Sequence, residues 1–333
     1  MAIAAENTFF DTVFFGGGTP SLLPEGDVMR LLDAAKTLFH VSPDAEVTLE
    51  ANPATADEKK LSALLRAGIN RLSVGVQTLS DEELRYLGRA HSASDAVAFL
   101  KSARHVGFEN INVDLMYGIP AQTLQSAERT LSEVLSLSPD HISAYSLMLE
   151  EGTPLYQNRA RIPLPSEDEE AEIDMLVSKT LGANGYLHYE ISNYAKEGRE
   201  SRHNLHYWHS DSYLGFGVSA YSYFDGVRYG NHSNLSSYTE DPLSAVVDRE
   251  PLSEKERAYE WIMLRLRLKE GLSLAEYRAH FGVDLKKRYF SQINAFIAQG
   301  LMEEKGGRIS LTERGFRLSN SILVAFLEDE KNS

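Results

Sequence analysis

The chain has 333 residues, 43 % of them hydrophobic and 24 % charged, with a net charge of −15 and no cysteine. This is the balance of a globular protein of about two domains, with no run of about 18 apolar residues for a transmembrane helix. Lack of cysteine excludes disulfides, thiolate zinc sites, cysteine nucleophiles and cysteine-ligated iron–sulfur clusters, and the acidic excess argues against broad nucleic-acid binding.

The N-terminus, Met-Ala-Ile-Ala-Ala-Glu-Asn, lacks the basic start and long apolar core of a signal peptide, which predicts a cytoplasmic location. Strand-like segments follow at Thr12–Phe15, Glu46–Glu50, Arg71–Gln77, Ile111–Tyr117, His141–Leu147 and Tyr186–Ile191. They are short and rich in Val, Ile, Phe and Tyr, and longer segments of helical periodicity lie between them. Ala96, Val97, Leu100 and Ala103 make one apolar stripe; Leu124, Ala127, Leu131, Val134 and Leu135 make another. Thr55 with Glu58, Ser80 with Glu83 and Ser166 with Glu169 fit capping boxes. Gly68, Gly107 and Gly185 stand where a helix gives way to a strand. Repeated β-α order with short loops predicts a parallel sheet with covering helices, as a full or partial barrel or an open sheet.

Residues 200–240 break the pattern. They hold nine aromatics and four of the ten histidines, and read as loops and short strands. From 253 onward a small domain is predicted, with helices over Glu254–Lys269, Ser273–Phe281 and Leu285–Gln299. A hairpin follows around Lys305-Gly306-Gly307, then a last helix over Thr312–Leu327. That order is winged-helix-like. Charge divides in the same place, −16 over residues 1–249 and +1 over 250–333. The expected division is therefore 1–195 a (β/α) barrel, 196–250 an aromatic and histidine-rich region packed on it, and 251–333 the winged-helix-like domain.

Polar residues end several strands. The first runs into Gly16-Gly17-Gly18-Thr19-Pro20, either a tight turn or a loop that lets the backbone approach a ligand. Glu50, Gln77 and Asp114 sit at the ends of, or within, later strands. In parallel β/α folds ligands bind at the carboxyl ends of strands, so these groups should converge on one mouth.

Taken in order, Phe-Phe-Gly-Gly-Gly-Thr-Pro-Ser (14–21), Leu-Glu-Ala-Asn-Pro (49–53), Leu-Ser-Val-Gly-Val-Gln-Thr (72–78), Leu-Gly-Arg-Ala-His (87–91) and Asn-Val-Asp-Leu-Met-Tyr-Gly-Ile-Pro (112–120) resemble the radical S-adenosylmethionine family. More narrowly they resemble its oxygen-independent coproporphyrinogen III oxidase (HemN) group and the related HemW-type heme chaperones. The resemblance spans nearly the whole chain. It implies an α/β fold: a partial (β/α)6 barrel, here lacking its first strand, plus a C-terminal winged-helix-like α+β domain. It also implies that Gly17, Gly18, Thr19, Glu50, Gln77, Arg89 and Asp114 contact S-adenosylmethionine. The planar, fixed charge of Arg89 suits a carboxylate.

One departure is large. The family's 4Fe–4S cluster is held by three cysteines on the loop after its first strand, and this sequence contains neither strand nor loop. The cluster of full-length relatives cannot be ligated here, no residue is assigned a catalytic role, and S-adenosylmethionine is expected to bind weakly or not at all. The expectation is a sequence that begins at an internal methionine. It leaves Thr12–Phe15 as an open edge inviting self-association.

His203-Asn204-Leu205-His206-Tyr207-Trp208 matches the His-Asn-x-x-Tyr-Trp signature of the heme-chaperone branch. A neutral imidazole is a good axial ligand for heme iron and aromatics suit a flat porphyrin. The resemblance thus implies a heme site of His203, Asn204, Tyr207 and Trp208, with His203 on the iron. Composition alone favours a polar-aromatic loop packed on the barrel, in which His203 bonds to backbone. Gly215, Gly217 and Ala220 do not follow a strand of a βαβ unit and are not read as a dinucleotide site. Lys286-Lys287-Arg288 reads as a solvated helix face. The function implied is heme binding and delivery, with heme and heme-accepting proteins as partners. Membrane association would be peripheral, through those acceptors. The alternative is a coproporphyrinogen III oxidase truncated at its N-terminus.

Overall fold

The computed structural model describes residues 8–331; residues 1–7, read above for a leader, lie outside the described residues. The chain forms two compact units, Met1–His188 with Ser192–His203, and Tyr189–Ile191 with Asn204–Ser333.

The first unit is built on strands β1 (Phe9–Phe15), β2 (His40–Ala51), β3 (Arg71–Gln77), β4 (Ile111–Tyr117) and β5 (His141–Ser146), all parallel to their neighbours. Two short strands complete the sheet, β6 (Leu187–Glu190) and β7 (Asn193–Ala195), in the order β1-β2-β3-β4-β5-β7-β6. It is the curled, open sheet of a half-barrel, with β1 at one edge among the described residues. Tyr186–Ile191 was the expected sixth strand, but β7 takes the place beside β5, and it runs antiparallel. Its three residues are too few to register as a sequence pattern.

Helices α1 (Glu25–Leu38), α2 (Glu58–Ala67), α3 (Asp81–Tyr86), α4 (Ala93–Val106), α5 (Leu124–Ser136), α6 (Pro154–Gln157) and α7 (Glu167–Ala183) fill the crossovers. The predicted stripes do the packing. Ala96, Leu100, Ala103, Leu131 and Val134 close against Leu49, Leu72, Val74, Val113 and Ile142 of the strands. Strand β3 is buried along its whole length, as expected of a central parallel strand covered on both faces.

The capping expectations need correction. Ser166 and Glu169 form a full box. At α2 the cap is Asp57, whose carboxylate accepts from Lys60 N; Thr55 instead donates to Asn52 O. At α3, Ser80 caps Glu83 N, but the Glu83 side chain turns inward to accept from Thr78 and Ser126 at 2.5 and 2.6 Å. A buried carboxylate takes the strongest donors within reach, and here they are hydroxyls of the core.

Helix α8 (Arg202–Trp208) corrects the reading of residues 200–240 as loops and short strands. The second unit continues with β8 (Tyr221–Phe224), β9 (Val227–Asn231), α9 (Leu235–Glu240) and β10 (Val246–Pro251), in a sheet ordered β10-β9-β8. Then come α10 (Glu254–Arg265), β11 (Leu272–Ser273), α11 (Leu274–Phe281), α12 (Leu285–Arg288), α13 (Phe290–Ala298), β12 (Met302–Lys305), β13 (Arg308–Leu311), α14 (Glu313–Arg317) and α15 (Ser319–Lys331). The hairpin β12–β13 with β11 makes the three-stranded wing. The predicted 285–299 and 312–327 helices are each broken, at Tyr289 and at Leu318. Tyr289 is fully buried against Phe326 with their rings 5.1 Å apart, so side-chain packing sets that break. Among the described residues no helix is long and apolar enough to cross a membrane.

Candidate functional site

The carboxyl ends of β1 to β4 meet around one polar cavity of about 210 Å³. Gly18, Thr19, Glu50, Gln77, Arg89 and Asp114 line it, so six of the seven residues predicted for the mouth come together. The seventh, Gly17, takes part through its backbone: its N–H donates to Glu50 Oε2 at 3.0 Å. Gly17 and Gly18 both have positive φ, +80° and +59°, which is what the strand-end glycine run is for.

The cavity also uses residues that strand-end logic passed over. Asn52 donates to Thr19 Oγ1 at 3.2 Å and so ties the glycine loop to the end of β2. Gly75 leaves room: a Cβ there would stand 2.9 Å from Asn52 Oδ1. Gln77 has φ +68° at a register shift in β3, an uncommon conformation for a side chain of its size. Its amide oxygen accepts from Tyr145 OH at 3.1 Å. Ser73, on the same face of β3, completes the floor.

Electrostatics follow from burial. Glu50 is pushed above the usual carboxylate range by desolvation; the Gly17 N–H opposes this and the nearby Asp114 adds to it. Asp114 is raised too, by burial above all, against the hydrogen bond from Asn112 Nδ2 at 2.7 Å. Beneath them Asn112 Oδ1 accepts from His141 Nδ1 at 2.6 Å, and burial holds that imidazole neutral. The Arg89 guanidinium lines the mouth with no hydrogen bond or ion pair to a described residue. An uncommitted guanidinium beside a carboxylate pair is a receptor for a zwitterion: its charge takes a carboxylate and the acids take an ammonium.

Of the signature residues, His203 is held by the first unit. Its Nδ1 shares a 2.8 Å hydrogen bond with Thr12 Oγ1, and its ring stacks on Phe14 with centroids 4.9 Å apart. Its backbone N–H donates to Glu46 Oε1 at 3.1 Å. The neighbouring Arg202 donates to Asp11 Oδ2 at 2.9 Å. Thr12, Phe14 and Glu46 were missed as supporting residues because they lie more than 150 positions away. Only the hydroxyl in the apolar run of β1 hinted at them.

Asn204, Tyr207 and Trp208 lie in the second unit. Tyr207 is exposed and meets Tyr213 edge to face at 4.8 Å. The Trp208 indole N–H is buried without a partner, under the Arg267 guanidinium. His206 pairs with Asp211 at 2.8 Å and His209 lies 3.5 Å from Glu270. Among the described residues no three His, Asp or Glu side chains cluster as a metal site.

The residues do not fit a 4Fe–4S cluster, because thiolates are its usual ligands and the chain has none. The mouth does fit the polar ends of S-adenosylmethionine, through Arg89, Glu50, Asp114 and the glycine loop. At about 210 Å³ it lies below the usual range of small-molecule sites.

Parallel strands curling round a glycine-lined mouth define a radical S-adenosylmethionine fold. The sequence profile of the Radical SAM superfamily matches residues 1–134, and that of the HemN C-terminal domain matches 252–318. The solved coproporphyrinogen III oxidase (HemN) from Escherichia coli has the same fold. Its TM-score is 0.84 at 23 % identity, covering 98 % of this chain and 79 % of that one. The heme chaperone HemW of Bacillus subtilis is 37 % identical over 95 % of this chain and 85 % of its own length. That of Escherichia coli is 36 % identical over 98 % and 86 %. The chain belongs to the HemW family within the HemN/HemW group of radical S-adenosylmethionine proteins.

Proposed function

We propose that this protein binds heme and hands it to heme-accepting proteins, with His203 as the axial ligand. The observation that carries the reading is the identity to heme chaperones of 35–37 % over most of both chains. The His203 environment supports it. Thr12 Oγ1 lies on Nδ1, and in the tautomer that donates to it the lone pair is on Nε2, the form a heme iron takes. Asn204, Tyr207 and Trp208, the other signature residues, contribute polar and aromatic surface for the porphyrin, and the segment 251–333 serves as the element that meets the acceptor. The protein works in the cytoplasm.

S-adenosylmethionine is a second, weaker ligand of the mouth. Arg89 takes its carboxylate, Glu50 and Asp114 its ammonium and hydroxyls, and Gly17, Gly18, Thr19 and Gln77 frame it. No step of radical chemistry is derived for these residues. The oxidase reading has only the shared fold behind it.

Transfer is the direct test. The protein is loaded with ferric heme, freed of excess by gel filtration, and mixed with apomyoglobin as a probe acceptor. Stoichiometric heme retained and then passed on supports the reading; a protein that emerges without heme contradicts it.

A further inference from the structure

His203 is gripped at two points, and both grips come from one register pair of the first unit's sheet. Thr12 of β1 and Glu46 of β2 stand opposite each other as parallel partners. Side chains of such partners leave the sheet on the same face. The Thr12 hydroxyl takes the ring of His203. The Glu46 carboxylate takes the main chain: Oε1 accepts from His203 N–H at 3.1 Å and Oε2 from Arg202 N–H at 3.2 Å. These are the first two peptides of α8. The opening N–H groups of a helix need acceptors, and a side chain beside them in sequence usually supplies one. Here the carboxylate comes from 156 and 157 positions away in the chain.

Two features fit Glu46 to that task. The register between β1 and β2 jumps just before the pair: Phe10 faces Val41, and Thr12 already faces Glu46. The extra residues of β2 make a bulge, a device that re-aims side chains. Within it, Asp44 O accepts from Arg202 Nη1 at 3.0 Å. The second feature is Arg71 of β3. It is buried, as Glu46 is, and its Nε lies 4.0 Å from Glu46 Oε2. A buried ion pair adds little net stability over apolar residues of the same size, so its value lies in where its hydrogen bonds are aimed.

We infer that Glu46 is a positioning residue for the iron ligand. It sets where the main chain of His203 stands, as Thr12 sets the ring, and Arg71 holds the carboxylate in place. This rests on the reading of His203 as the axial ligand and adds the group that places it. Glu46 acts through His203 alone.

The test uses the full chain as wild type, Glu46→Gln, His203→Ala and the double variant. Each is titrated with ferric heme and with metal-free protoporphyrin IX. Glu46→Gln keeps the shape of the side chain but turns an N–H2 group toward one of the two peptide donors. It should weaken ferric heme about tenfold, as loss of an outer partner does at metal sites, and displace the Soret band. Protoporphyrin affinity should not change. In the His203→Ala background the same substitution should have no effect on either ligand. If Glu46→Gln does not fold, Glu46→Asp replaces it with the same expectation, since it keeps the charge but draws it back by one methylene. Ferric heme bound as tightly as by wild type overturns the role of Glu46 while the heme reading stands. So does a loss that is equal for both ligands, or one that persists without His203. Wild type and His203→Ala with identical heme affinity and spectra overturn the ligand and its positioning residue together.

Discussion

His203 Nδ1 lies 2.8 Å from Thr12 Oγ1, a bond between the signature helix α8 and the edge strand β1. Phe14, two residues on and on the same face of the strand, supports the ring from one side. Strand β1 therefore fixes the ring angle of this histidine, as an outer partner does for a metal-bound one.

Replacing Thr12 with valine keeps shape and removes the bond. Loss of such an orienting partner costs about 10- to 100-fold in metal affinity. Ferric heme should bind Thr12→Val about tenfold more weakly, while metal-free protoporphyrin binds as to wild type. Absorbance titration in the Soret region checks the first and fluorescence quenching the second. Equal loss for both ligands would point to a damaged fold instead.

In the mouth, Arg89 is the free cation. Arg89→Gln should lower S-adenosylmethionine affinity by about tenfold, the worth of one charge-assisted contact of 1.4 kcal/mol. Equilibrium dialysis with labelled ligand reads this directly. Heme affinity should not move. An unchanged dialysis result would remove Arg89 from the site.

His141 is buried and donates to Asn112, and burial holds its pKa well below the ordinary 6.5. Because the folded pKa is the depressed one, the neutral imidazole contributes stability above pH 6.5 that is lost as pH falls. Against His141→Asn, whose Nδ2 stands about where the imidazole Nδ1 does and donates toward Asn112 without titrating, the wild type should lose ground between pH 7.5 and 5.5. The shift is about 1 kcal/mol, the slope of one proton over the unit below 6.5. Urea unfolding at the two pH values measures it; a pH-independent gap would mean that His141 protonates freely when folded.

Gly271 turns the chain into the wing with φ +69°, and a Cβ there would fall 2.2 Å from Ile309 O. That contact is with backbone and cannot relax. Gly271→Ala should destabilise the second unit by about 3 kcal/mol or more, strain and left-handed φ together. Thermal unfolding followed by tryptophan fluorescence reports on it, since Trp261 lies in that unit's core. A wild-type midpoint would show that the turn can move.

Much of this was legible in the sequence, for identifiable reasons. Strands β3 and β4 appear with their expected bounds because each is a short segment rich in Val, Leu or Ile that follows a helix-ending glycine, Gly68 or Gly107. The mouth was legible because strand order alone brings Glu50, Gln77 and Asp114 together. What stayed hidden depends on distance or on context. Helix α8 is seven residues dense in aromatics and histidine, a composition without helical periodicity. Thr12 and Phe14 read only as β-strand residues until the fold placed His203 on them. Asp57 displaced Thr55 as a cap because it stands directly before the helix it serves.

The central claim is that His203 ligates heme iron, and one titration tests it most directly. Ferric heme is added to wild type and His203→Ala, and the Soret band is followed to saturation. The wild type should give a defined band of a histidine-ligated heme, and the variant an affinity at least tenfold lower with the band displaced. Identical bands and identical affinities in the two proteins would contradict the claim.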